Sequence, residues 1–559
     1  MPQTVCAITY DLGTTGVKTC LFRIGEKLEL VHSAYAGYGL YMTEDGGAEQ
    51  YPDEWWQAVC DTTRQLLSES GTAPEHVAAV SFCSQMQCLT LVDADGNAVR
   101  PAMSYMDNRA AEQHARGIGS GLKISGLNAR RLLASLAATK AVPASVKDPI
   151  WKYKWVQQKE PDNFRRVHKW LDAKDYLSLK FTGEFTMTEG NAYATFLYDT
   201  RPGKRGWSRA LCRMYGVNPA HLPRVIHATD IAGRITQQAA SELGLAPGTP
   251  VYGGGGDAEL IGVGIGAVAL GETHIYLGTS GWVSTVTDRQ LVDTTSMIAA
   301  IVGAQPGRYH YFAEMETAGK CLEWVKDHLA LDEIGVYLEK KRVTESLERV
   351  YLSLYDYLCE VVSTVPAGSN GVVFTPWLHG NRCPFEAPDA RGLFFGIGIK
   401  TGKSEMIRAV IEGICYHLRW MLQAQEKKTR TSDVVLLAGG GALSPVICQI
   451  LADVLGRTVA TLPQPQNAGA HGAAIVIAAG LGLIPSAGSA KSLLPGYTTF
   501  LPMPQNKAAH DVNYAVFRSL YQNNSESFHI LARLAGKNRK RRTDKQARIT
   551  ADKPADLQG

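Results

Sequence analysis

Two short turns repeat across this chain. Leu12-Gly-Thr-Thr-Gly16 and Leu277-Gly-Thr-Ser-Gly281 agree residue for residue except for one Thr/Ser exchange, and both sit between β-type runs. Backbone N–H groups on such a turn, with hydroxyls beside them, form an anion cradle. Gly13, Thr14 and Thr15 in one turn and Gly278, Thr279 and Ser280 in the other could therefore hold a polyphosphate between two lobes. Between the turns in sequence comes Val251-Tyr-Gly-Gly-Gly-Gly-Asp257. Its glycines allow a sharp turn and close approach to a ligand. Asp257 stands where a helix would begin, which fixes its carboxylate at a cleft. A third glycine turn, Gly439, Gly440 and Gly441, follows the strand-like Val434–Ala438 and suits close approach of a flat base or ribose. Ser84-Gln85-Met86-Gln87 offers amide donors and acceptors for a hydroxyl-rich ligand. Asp107 and Arg109 place a carboxylate and a guanidinium two residues apart. Ordinary hairpin turns and surface salt bridges are the bland alternatives; the pairing of the turns, with Asp257 between them, favours function.

A dinucleotide-binding fold is a rival that the order of elements excludes. Gly262-Val-Gly-Ile-Gly266 follows a helix start rather than a strand. The acidic residue needed roughly 20 positions on is absent, since Gly281 and Trp282 lie there. No Gly-x-x-x-x-Gly-Lys-Ser/Thr occurs either.

The elements that must position these residues read as an α/β protein. Residues 5–36 alternate like antiparallel strands with a turn at Gly25-Glu26-Lys27. A helix opens near Tyr51-Pro52, with Asp53 as its expected cap. Strands follow at Val77 to Phe82 and Thr90 to Asp93. From 110 to 246 the pattern is one of amphipathic helices, expected as an insertion on the first lobe (1–248), with Trp151 and Trp155 on one helix face. The second lobe (249–500) is expected to begin at Thr249. It closes with a strand from Val434, a helix over Pro445 to Leu455, a strand over Thr458 to Leu462 and a small-residue helix from Gly469. A C-terminal helix is expected at 501–535, and the basic stretch 536–559 reads as a disordered tail.

With 559 residues the chain can form two or three domains. Much of the basic excess behind its net charge of +4 lies in the tail, so the body gives no reason to expect a nucleic-acid partner. Eleven cysteines without a Cys-x-x-Cys pair point to reduced thiols in a cytoplasmic protein. The longest apolar runs, Leu260 to Leu270 and Ala473 to Ile484, fall short of the ~20 residues that span a bilayer, so no membrane partner is expected. The N-terminus lacks the pattern of a signal peptide.

These motifs together resemble the FGGY family of carbohydrate kinases, and within it the xylulokinase branch, over about residues 4 to 500. Asp11-Leu-Gly-Thr-Thr-Gly-Val-Lys18 looks like the family's first phosphate motif. Gln85-Met-Gln87 and Asp107-Asn-Arg109 resemble its sugar motifs, and Gly254-Gly-Gly-Asp257 its catalytic one. Pro149-x-x-Lys152-x-x-Trp155-Val156 partly fits the first family signature. Gly392-Leu-Phe-Phe-Gly-Ile397 with Glu405-Met-Ile-Arg-Ala-Val-Ile-Glu412 fits the second in full.

The resemblance implies an α/β fold of two ribonuclease-H-like lobes, of the actin and hexokinase type, closing an inter-lobe cleft on its small-molecule partners, ATP and a sugar; a homodimer is the one macromolecular partner left open. It implies Asp257 as general base and Asp11 as the Mg²⁺ residue. Thr14 and Thr279 would meet phosphates, with Lys18 in the same motif. Gly319, Glu323, Gly440 and Ser444 would line the nucleoside. Two positions depart from the branch: Gln87 stands where it usually has His, and Ala258 where it has Asn. Both face the sugar in the family. A hydroxyl left unpaired at Ala258 would cost about 1–3 kcal/mol, enough to change which sugar is preferred. The implied acceptor is a ketopentose, xylulose- or ribulose-like. Alternatives are another ketose or polyol, a catalytically idle sugar sensor, or an actin-like ATPase, against which the sugar motifs speak.

Overall fold

The computed structural model describes residues 4–124, 126–329 and 360–551. Its first lobe is built on a seven-stranded sheet. β1 (Val5–Leu12), β2 (Gly16–Ile24) and β3 (Leu28–Gly37) run antiparallel, and β1 pairs in parallel with β4 (Val77–Ser84). β5 (Ile231–Arg234), β6 (Pro250–Tyr252) and β7 (Gly255–Gly256) extend the sheet beyond β4. The second lobe repeats the central pattern in an eight-stranded sheet. β8 (Thr273–Leu277), β9 (Gly281–Thr287) and β10 (Tyr309–Met315) are antiparallel, and β8 runs parallel to β11 (Val434–Ala438). Each Leu-Gly-Thr turn joins the first strand of its lobe to the second. The sequence repeat is therefore a repeat of topology.

The division between sheets does not fall at Thr249. β6 and β7 both hydrogen-bond in parallel to β4, so residues 250–256 complete the first sheet and the change of sheet comes before Thr273. The apolar Val251 and Tyr252 go where a buried strand edge remains open. The stretch 110–246 likewise divides. α3 (Ala173–Thr182), the helix Gln237–Leu243 and β5 join the core of the first sheet, together with α1 (Pro52–Ser70). A separate small core forms around Trp151 of α2 (Pro149–Lys159), Tyr153 and Trp170.

Pro52 sets the start of α1. It fills the first helical position, where its missing N–H costs nothing, and so moves the cap to Tyr51, which makes no side-chain cap bond. Asp53 is thus not the cap; inside the first turn it accepts a hydrogen bond from the Tyr176 hydroxyl at 3.2 Å. At the other end, the chain between Thr498–Phe500, a strand, and α8 (Lys507–Ala551) shortens the expected helix start, and α8 then runs on through the stretch expected to be disordered. Lys, Arg, Ala and Gln are good helix formers, which lets a helix already nucleated on the body continue. The tail beyond Ala551 lies outside the described residues.

The lobes share one apolar core. α4 (Asp257–Gly264) and α7 (Ala468–Gly480) lie between the sheets, with Phe22 and Cys83 of the first lobe and Leu436 and Leu462 of the second in the same cluster. A helix apolar all round, such as Gly-Ala-His-Gly-Ala-Ala-Ile-Val, has to be buried. Its contact with α4 depends on Gly264 and Gly472, where a side chain would strike the facing helix backbone. Among the described residues no helix is long and apolar enough to cross a membrane, and the described cysteines stand outside any disulfide.

Candidate functional site

Asp11 lies one residue from the end of β1, in register with Lys18 of β2 and Cys83 of β4. Beyond it the turn closes by the Gly13 N–H donating to Gly16 O at 2.9 Å. Its carbonyls are held from outside: the Tyr38 hydroxyl donates to Gly13 O at 2.6 Å, and Gln50 Nε2 to Thr14 O at 2.8 Å. The Thr14 hydroxyl meets that of Tyr105 at 3.3 Å. Lys18 Nζ donates to Asn467 Oδ1 at 2.9 Å, a contact that crosses between the lobes. Burial raises the Asp11 carboxyl above the ordinary carboxylate range, while the Lys18 ammonium and the Cys83 thiol act the other way.

Asp257 is the first residue of α4, held by Ala258 N–H donating to its Oδ1 at 2.8 Å. Glu259 reaches back to the Gly256 N–H at 3.2 Å and fixes the helix start. The Asp257 side chain is partly exposed, yet packed protein around it pushes its carboxyl up to about 7. The Ala258 N–H opposes this, and the carboxylates Asp11, Glu314 and Asp172 add to it. A cavity of about 220 Å³ brings Asp257 together with Asp11, Gly13, Thr15, Lys18 and Gln85.

The second turn does not line that cavity; it gathers the remaining glycines. Gly319 N–H donates to Gly278 O at 2.8 Å, and Ala318 and Lys320 N–H groups to Thr279 O at 3.0 and 3.1 Å. This seats α5 (Gly319–His328) directly on the turn. Ser280 O takes the Gly278 N–H at 3.0 Å. Gly439 has φ 94°, and a Cβ on it would stand 2.5 Å from Leu277 O. Gly440 and Gly441 form the next turn, and Ser444 caps α6 (Pro445–Leu455) by accepting the Ile447 N–H at 3.3 Å. Glu323 is paired with Lys320 at 2.7 Å. The two groups meet at Tyr276, which lines the cavity and whose ring lies against both Gly278 and Gly439.

On the first-lobe side Gln85 is buried. Its Nε2 donates to Gln50 Oε1 at 2.8 Å, while its Oε1 has no partner. Met86 packs on Gly256, next to Asp257, and Ala258 is buried in the first turn of α4. Asp107 and Arg109 are spent on each other. Fully buried Asp107 accepts from Arg109 Nη2 at 2.7 Å and from Ala48 N–H at 3.0 Å. Arg109 also reaches Glu49 at 2.6 Å and lies 4.4 Å above the Trp155 ring. Neither is in the wall of the cavity.

Several residues here had no sequence signal. Glu314 on β10 pairs with Arg382 at 3.1 Å, and the Glu314 carboxylate helps raise the Asp257 carboxyl. Burial pushes Asp148 up to about 6, with Arg382 opposing. Gln50 and Tyr276 are ordinary strand-end residues in sequence. Among the described residues no cluster of three or more metal-ligating side chains occurs. Asp11, a single carboxylate beside the phosphate-type turn, suits an ion whose other ligands are phosphate oxygens and water.

Profiles of the FGGY family of carbohydrate kinases match this chain twice, its N-terminal domain over residues 6–264 and its C-terminal domain over 274–481. A xylulose kinase of Escherichia coli (strain K12) is 30% identical over 531 residues, covering 92% of this chain and 98% of that protein. A gluconokinase of Bacillus subtilis (strain 168) is 28% identical over 468 residues, 83% of this chain and 86% of its own. The structure of a ligand-bound xylulose kinase from Lactobacillus acidophilus superposes with a TM-score of 0.80 at 24% identity, covering 94% of this chain and 99% of that one.

Proposed function

Since the chain belongs to the FGGY family of carbohydrate kinases, and is thereby an ATP-dependent sugar kinase, we propose that its acceptor is a ketopentose, xylulose- or ribulose-like, with Asp257 as the base. One observation supports this most: the unpartnered Oε1 of buried Gln85 and the Asp257 carboxylate share a cavity with the first phosphate-type turn. A buried acceptor without a donor is costly unless a ligand hydroxyl supplies one. In this reading the first lobe binds the sugar and the second the nucleotide.

Phosphoryl transfer needs alignment, neutralised charge and little else from protein. Gln85 orients the sugar. Asp257, with a carboxyl near 7, is ionised enough at neutral pH to accept the hydroxyl proton and basic enough to hold it. The Gly13 turn and Lys18 receive the phosphates; Gly319, Glu323, Gly439 to Gly441 and Ser444 line the base and ribose behind Thr279. Mg²⁺ bound with ATP supplies charge neutralisation, and Asp11 is the residue that would hold it. A sugar acid fits less well. Asp11, Asp172 and Glu314 all act on Asp257, and Arg382 is already paired with Glu314, so a further carboxylate would enter a negative field.

A coupled ADP assay across D-xylulose, D-ribulose, glycerol and D-gluconate tests the reading. The ketopentoses should give the highest kcat/KM. Preference for gluconate would overturn the electrostatic argument, and ATP turnover independent of any sugar would overturn the kinase mechanism proposed.

A further inference from the structure

Gln87 has a left-handed backbone, φ 63°. Residues other than glycine, asparagine and aspartate seldom adopt it, because Cβ crowds the following carbonyl. Two buried charged side chains hold it from opposite sides. Asp172, the cap of α3, accepts the Gln87 N–H at 2.9 Å on Oδ2 and the Cys88 N–H at 3.0 Å on Oδ1. Lys152 of α2 donates from Nζ to Gln87 O at 2.9 Å and to Ser104 O at 2.7 Å. Lys152 is 0% exposed and Asp172 3%. Asn191 Nδ2 donates to Asp172 Oδ2 at 2.9 Å and fixes that carboxylate in turn.

Burying an ammonium whose direct partners are backbone carbonyls is costly, and an apolar side chain would fill the same space without desolvation. What the arrangement achieves is local order. The bonds of Lys152 tie the segment carrying Gln85 and Met86 to the segment that begins at Ser104 and carries Tyr105. Gln85 itself is fixed on the other side by its N–H donating to Leu12 O at 2.8 Å. Neither Lys152 nor Asp172 lines the cavity.

We propose that Lys152 and Asp172 are positioning residues for the sugar: a charged clamp that keeps Gln87 left-handed and thereby aims Gln85 at an acceptor hydroxyl. This rests on the reading that the cavity binds a sugar. Gln87 then matters through its backbone as well as its side chain.

Lys152→Met and Asp172→Asn in the full chain test it, by crystal structure and by kinetics with D-xylulose as probe. In Lys152→Met, Gln87 should leave the positive-φ region and the KM for D-xylulose should rise about ten- to a hundredfold. The KM for ATP should stay within about twofold. Adding Gln87→Gly, which takes positive φ freely, should recover part of the sugar KM in that background. Gln87 remaining near φ 63° with an unchanged sugar KM would overturn the clamp. So would a parallel rise of both KM values without rescue, which marks a general structural role. Should Lys152→Met fail to fold, Asp172→Asn, nearly isosteric, gives the same readouts. If the wild type does not turn over D-xylulose, the ketopentose reading fails, and the backbone of Gln87 in the variants still decides the clamp.

Discussion

Gly469→Ala tests how closely the second lobe is fitted to Asp11. Gly469 is the second residue of α7, and a Cβ there would stand 2.7 Å from Asp11 Oδ2 and 2.8 Å from Cys83 Sγ. Cys83 is buried in β4, and Asp11 is fixed by strand pairing on both sides, so neither yields easily. Two terms oppose each other. Alanine gains about 1 kcal/mol over glycine in a helix, and overpacking costs about 1–3 kcal/mol. The net is a loss of roughly 0–2 kcal/mol, or a fall in Tm of a few degrees at most. The functional loss should be larger, because displacing a positioned group by about 1 Å can cost about a hundredfold. Titrating Mg²⁺ at fixed ATP should show kcat/KM for MgATP reduced by about that factor. The KM for D-xylulose at saturating MgATP should change far less. Wild-type Mg²⁺ dependence in a folded Gly469→Ala enzyme would refute the placement of Asp11 at the phosphate end.

Four further outcomes follow from the geometry. A raised carboxyl on Asp257 is protonated below about pH 7, so kcat/KM should fall as pH drops through that value; a flat profile from pH 8 to 5.5 would contradict it. The same raised value costs stability as pH rises through about 7, so Asp257→Asn should raise Tm more at pH 8 than at pH 4. Gln87→His with Ala258→Asn should raise D-xylulose kcat/KM relative to other sugars if D-xylulose is not already the best substrate, and an unchanged ranking across the panel would mean these positions do not select. Deleting the residues after Gly536 should leave activity and Tm nearly unchanged, since the buried α8 side chains described end at Phe528; a drop of many degrees would show that the segment docks.

What the sequence disclosed follows from locality. The paired Leu-Gly-Thr turns, the Gly-rich approach to Asp257 and the helix at Pro445 are local patterns, and local backbone preference decides them. Membership of residues 250–256 in the first sheet was hidden, because it depends on which strand edge is open after the intervening residues 85–249 fold. The same holds at the site. Gln85 and Asp257 lie in motifs, but Glu314 and Arg382 are 68 positions apart and single charges on their own elements. Lys152 was visible only as a signature residue. Nothing in its helix indicates that its ammonium would reach two carbonyls on other segments. Asp107 and Arg109 show the converse: their spacing left a ligand-binding couple and a salt bridge equally open, and burial sets them facing each other.

The central claim is that Asp257 takes the proton from the acceptor hydroxyl, and Asp257→Asn measures it most directly. The amide is nearly isosteric and can still hydrogen-bond a hydroxyl, so D-xylulose and ATP binding, read by calorimetry, should remain largely intact. It cannot accept the proton, so kcat should fall by about 10²–10⁴-fold, with far less change in KM. A variant that binds both substrates yet keeps more than about a tenth of wild-type kcat would contradict the account, because another group would then be the base.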